Sequence, residues 1–105
     1  MPIIRAGNGI ITQVNVFTVL EGGQDAMIHL LAEAAEFARS TPGWLSASLH
    51  RSLDGTRVVN YAQSESLEAA QRVAERLREA GYIERNSQLG IANPGLYEVS
   101  VTIER

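Results

Sequence analysis

Asp54-Gly55 sits at the centre of the chain, between two runs of residues with strand character. Both residues tolerate positive φ, and the pair is the strongest short signal for a β-hairpin. Trp44 to Ser52 precedes it and Arg57 to Gln63 follows, so two antiparallel strands are expected. By alternation, Trp44, Ser46, Ser48 and His50 point one way, and Leu45, Ala47, Leu49 and Arg51 the other.

A helical pattern flanks the hairpin on each side. Ala26 to Ser40 places Met27, Leu30, Leu31, Ala34, Phe37 and Ala38 on one face, with Asp25 in position to cap it and Thr41-Pro42-Gly43 to end it. Ser66 to Ala80 places Leu67, Ala70, Val73, Ala74 and Leu77 on a second stripe, closed by Gly81. Outside these lie two more strands. Ile10 to Leu20 is apolar on both faces except at Asn15. Leu96 to Ile103 alternates after a turn at Asn93-Pro94-Gly95. Tyr82 to Ile91 reads as a short helical turn at most. The order β-α-β-β-α-β predicts an α+β, ferredoxin-like fold, with two crossover helices on one face of a four-stranded antiparallel sheet.

The chain has 105 residues, which suits a single domain over 1–105. Residues of hydrophobic type make up 45% and charged residues 20%, the balance of a globular protein. There is no cysteine, which removes thiolate chemistry, iron–sulfur clusters and the common zinc sites. There is no lysine either, which removes Schiff-base and P-loop chemistry. A net charge of −3 gives no electrostatic footprint for nucleic acid. Neither a signal-peptide core nor an apolar run of the roughly 20 residues a membrane span needs is present, so a cytoplasmic protein is expected.

His50 could serve as a general base, but alternation puts it on the face opposite Asn60, so a structural role is expected. His29 falls on the exposed side of the first helix. Two distant histidines without supporting carboxylates make no metal site. Arg72, Arg76 and Arg78 with Glu68, Glu75 and Glu79 read as a solvated helix face. Trp44 and Tyr61 would lie on the sheet face turned away from the helices. Covering them predicts a homodimer whose two sheets close into a barrel.

The continuous stretch from Pro42 through Trp44-Leu45-Ser46, Asp54-Gly55 and Asn60-Tyr61 to Gln63 resembles the central hairpin of the antibiotic biosynthesis monooxygenase family. Asn15-Val16-Phe17 and both helices extend the resemblance over most of the chain. It implies a dimeric α/β barrel and cofactor-free oxidation of aromatic polyketide intermediates, such as anthrones, with O₂ as co-substrate and no flavin, haem or metal. It also implies that Asn15 and Asn60 are the catalytic residues, with Ser64, Phe17 and Leu49 as substrate-binding residues. Ser64 stands where the family's best-studied branch has a tryptophan. That departure leaves a cyclase, an isomerase or a non-catalytic binding protein as alternatives on the same scaffold. The opening Met1-Pro2 resembles a tautomerase with a catalytic proline, but Gly7-Asn8-Gly9 interrupts the strand such a protein would begin with. No histidine follows His50, which sets aside the haem-degrading relatives.

Overall fold

A computed structural model describes all 105 residues. The elements are β1 (Ile11–Val19), α1 (Gln24–Ala38), β2 (Trp44–Arg51), β3 (Arg57–Ser64), α2 (Leu67–Glu79), α3 (Tyr82–Leu89) and β4 (Gly90–Glu98). The strands form one sheet in the order β2-β3-β1-β4, and β1 pairs antiparallel to both β3 and β4. This is the ferredoxin-like α+β arrangement with one helix more than expected. No helix is long and apolar enough to cross a membrane.

The core forms where α1 lies on the two central strands. Phe17, Val19, Met27, Leu31 and Val58 bury together, and Leu30, Ala34 and Tyr82 form a second cluster beneath α3. The α1 face read from the sequence is the buried one, although Phe37 stays half-buried against Tyr82. On α2 the stripe is shifted. Ala69 and Val73 are buried, while Leu67 is 48% exposed.

Capping differs between the helices. Ser66 caps α2, its hydroxyl accepting the Ala69 N–H at 3.1 Å. Asp25 does not cap α1. Gly23 holds that position without a side-chain bond, and Asp25 pairs with Arg51 at 2.7 Å from inside the first turn. Arg72 and Arg76 are not free on a solvated face. Arg72 donates to the Pro42 carbonyl, and Arg76 reaches Thr41 and stacks on the Phe37 ring, so both tie α2 to the α1–β2 connection.

The hairpin is wider than a two-residue turn. Gly55 has φ +81°, and no non-glycine residue has positive φ. The Gly55 N–H donates to the Ser52 carbonyl, and Asp54 organises the rest. Its Oδ1 accepts from the Ser52 hydroxyl, the Thr56 N–H and the Thr56 hydroxyl. The bonds from the hydroxyls of Thr56 and Ser52, then from the Thr56 N–H, hold its carboxyl down to about 2.

Two parts of the sheet depart from the pattern in the sequence. β4 begins at Gly90 and contains Asn93-Pro94-Gly95, which therefore is not a turn. Proline is tolerated because β4 is an edge strand, where a missing donor breaks only one ladder. Val99 to Ile103, expected to continue the strand, has no regular structure. The second departure is a register shift in β2 between Trp44 and Ser46. An extra residue in one strand reverses the side-chain alternation across it. Trp44 therefore faces the helices, on the same side as Ala47, and Leu45 is exposed. This corrects the outward placement of Trp44. Tyr61 and His50 do lie on the outer face.

Candidate functional site

The helix-facing side of the sheet meets α1, α2 and α3 in a narrow cleft. Its walls are apolar: Phe17, Leu31, Ala47, Val73 and Leu77 are among them. The enclosed free space is small, about 60 Å³. A wider depression of about 540 Å³ lies outside the sheet end, between the β1–α1 loop and the hairpin. Only one apolar residue lines it, so it offers little to an apolar ligand.

Polar side chains enter the cleft at a few points. Asn15 on β1 and Asn60 on β3 are direct cross-strand partners, and both line it. Directly opposed residues on one sheet face have Cβ atoms about 5 Å apart, so the two amides form one polar patch. Each is fixed differently. Asn15 Oδ1 accepts the Asn93 N–H at 3.1 Å. That bond sits beside Pro94, the register partner of Asn15, which has no N–H to donate. Because the backbone N–H requires an acceptor, the Asn15 Nδ2 group is left as a donor toward the cleft. Asn60 Oδ1 is buried with no hydrogen-bond partner. A buried strand asparagine is usually satisfied, and one left bare carries a desolvation cost that a ligand can relieve.

Of the residues read from the sequence as substrate-binding, Phe17 lines the cleft from the core. Leu49 is the register partner of Asn60 but packs against the core cluster. Ser64 is buried on the helix-facing side and lies outside the cleft lining. Its cross-strand partner is Trp44, whose indole does line the cleft. An aromatic surface is thus present beside Ser64, supplied by the neighbouring strand through the β2 irregularity. Strict alternation hid it.

The helix α3 closes one side. Tyr82 and Asn86, one turn apart, both face the cleft and are buried. The Tyr82 hydroxyl is committed elsewhere and donates to Glu33 on α1 at 2.8 Å. Arg85 reaches the same carboxylate at 2.9 Å. The Arg85 bond first, then that from Tyr82, lowers the Glu33 pKa, while the bond to Glu33 raises that of Tyr82. Asn86 is a cleft residue that the sequence reading missed. Its Oδ1 is also buried without a partner. No Asp, Glu or His lines the cleft.

The sequence profile of the antibiotic biosynthesis monooxygenase family matches residues 10–76, well over half of the chain. The chain belongs to that family. A tetracenomycin-F1 monooxygenase of Streptomyces glaucescens is 41% identical over 64 residues, which cover 60% of this chain and 57% of that one. The match thus spans little more than half the length of that curated relative. A monooxygenase of Streptomyces coelicolor from the gene ActVA-Orf6, solved in complex with nanaomycin D, is 32% identical and superposes with a TM-score of 0.79. That alignment covers 90% of this chain and 91% of the other. SnoaB, a cofactor-independent oxygenase of Streptomyces nogalater, shares the fold at TM-score 0.81 and 23% identity, over 92% of this chain and 99% of that one.

Proposed function

We propose that this family member is a cofactor-independent monooxygenase that oxidises an anthrone-type aromatic polyketide with O₂. The observation that carries the reading is the adjacent Asn15–Asn60 amide pair inside an apolar cleft that contains no carboxylate or imidazole. An anthrone methylene loses a proton to give a delocalised carbanion, with the negative charge largely on oxygen. That anion transfers its electrons to O₂, a C–O bond forms, and loss of water from the hydroperoxide leaves the quinone carbonyl. The balance is CH₂ plus O₂ giving C=O plus H₂O. The protein's part is to exclude water, hold the ring system flat and donate hydrogen bonds to the oxyanion. Asn15 Nδ2 is already oriented for that task, and the Asn60 amide stands beside it. Trp44 supplies a flat surface for stacking. With no side-chain base in the cleft, the substrate loses its proton to solvent before it is enclosed and binds as the anion, so turnover should follow the ionisation of the substrate.

Ligand pockets commonly run to roughly 300–1,000 Å³. Three fused rings need far more room than the present cleft, so helix side chains facing the sheet move apart on binding. Oxygen uptake by metal-free protein with a simple anthrone, against a no-enzyme control, tests the reading. Uptake above control with quinone formed supports it. Binding without uptake would replace it with a cyclase, isomerase or carrier role.

The same reading includes a homodimer. The outer sheet face carries Val14, Val16, Val59 and Tyr61, and beside them Ile91 and Tyr97 are 75% and 56% exposed. The alternating tail residues Val101 and Ile103 are also exposed, a strand pattern with nothing to pair with. A second copy laid on this face would cover both. Sedimentation velocity at micromolar concentration should show a dimer, and a monomer there would remove this part of the reading.

A further inference from the structure

We infer that Asn86 binds ligand from the side of the cleft opposite Asn15 and Asn60, and that it selects planar aromatic ligands bearing a hydroxyl on the edge facing α3. The inference rests on the reading that the cleft takes an aromatic ketone, and it adds a second, opposed point of recognition.

Three features of Asn86 point this way. It is only 8% exposed, and its Oδ1 has no partner. Its backbone carbonyl already receives the Gly90 N–H at the end of α3, so the side chain has no capping duty. The other α3 side chains lining the cleft leave nothing polar free, since Ile83 is apolar and the Tyr82 hydroxyl is bound to Glu33. Asn86 is therefore the one uncommitted polar group that α3 turns toward the sheet. It faces a sheet surface where Asn60 Oδ1 is bare as well.

The donor and acceptor inventory then describes the ligand. Asn15 offers a donor, because its oxygen is held by the Asn93 N–H. That suits a carbonyl or oxyanion. Asn60 and Asn86 each present a bare oxygen, which suits a hydroxyl, while the Asn60 Nδ2 remains a donor for the oxyanion. A ring system with a carbonyl and a hydroxyl at one edge, and a further hydroxyl across from them, would satisfy all three. An unsubstituted polycycle would leave the Asn86 amide buried and bare, a state that a site of this kind discriminates against.

The test compares two probes, a dihydroxyanthraquinone and unsubstituted anthraquinone, titrated into the full chain. Trp44 is the single tryptophan and lines the cleft, so quenching of its fluorescence reports occupancy. The natural protein should prefer the hydroxylated probe by about tenfold or more. Asn86→Leu should bring that preference close to one, with little change for the plain probe. Its thermal stability should hold or rise, because a bare buried amide has been removed. A merely structural asparagine would lower stability on removal and leave the preference intact. If Asn86→Leu fails to fold, Asn86→Ala is titrated in its place. The inference is overturned if either folded variant keeps the full preference, or if the natural protein binds neither probe or both alike. Since no oxygen chemistry enters the measurement, a protein that shows the preference but consumes no O₂ would sink the oxygenase reading and leave Asn86 assigned.

Discussion

Asn60→Ala should cut turnover of an anthrone-type substrate by one to three orders of magnitude, roughly the effect of losing one oxyanion donor. The fold should survive. The Asn60 side chain makes no hydrogen bond within the protein, so alanine removes a bare amide rather than a structural contact. Its neighbours Ala62 and Ala47 show that small side chains fit this stretch of the sheet. The measurement is a steady-state oxygen-uptake assay with a melting curve on the same sample. Turnover equal to that of the natural protein would take Asn60 out of the mechanism. Asn15→Ala is a less clean probe of the same patch. It would remove the acceptor for the Asn93 N–H and loosen β4 beside Pro94, so lost activity and lost stability would arrive together.

Gly43→Ala should destabilise the fold by about 3 kcal/mol and lower Tm by roughly 10–20 °C. Gly43 has φ +89°, where an L-residue pays about 1–2 kcal/mol. An added Cβ would also drive into the side chain of Ala69, which is buried on α2 at 1% exposure. Relief would require α2 to back away from the sheet, but Glu65, just before that helix, is held by its N–H to the Gly43 carbonyl at 2.8 Å. The strain therefore falls on the residue that precedes the β2 irregularity and aims Trp44 into the cleft. A differential scanning experiment with Trp44 emission recorded alongside would read both consequences. A melting temperature within a few degrees of the natural protein would show that the α2 contact is soft.

Local pattern carried much of the architecture. Strand and helix periodicities are written in neighbouring residues, so β1, α1, β2, β3 and α2 were legible within a residue or two of their ends. Period-two alternation also put Asn60 on the helix-facing side, whereas Asn15, on a strand apolar on both faces, entered through the family resemblance alone. The helix α3 was harder to see because eight residues give barely two turns of periodicity. Asn93-Pro94-Gly95 has the composition of a turn. Only its position on the sheet edge makes it a strand, with one N–H diverted to a side chain.

The remaining features depended on long-range contacts. Asn86 gains its meaning from the buried space between α3 and the sheet, and nothing in its neighbours along the chain signals that space. Counting by twos puts Trp44 on the wrong face because it holds only while two strands stay in step. The shift between Trp44 and Ser46 is a property of the β2–β3 pair as packed under α2. The sequence by itself determined five of the seven elements, and the helix-facing side of Asn60, because these follow from side-chain periodicity along one chain. The tertiary structure decided the side on which the single indole lies, the edge register of β4 and the place of Asn86 in the cleft, because each is set by contacts between segments far apart in the chain.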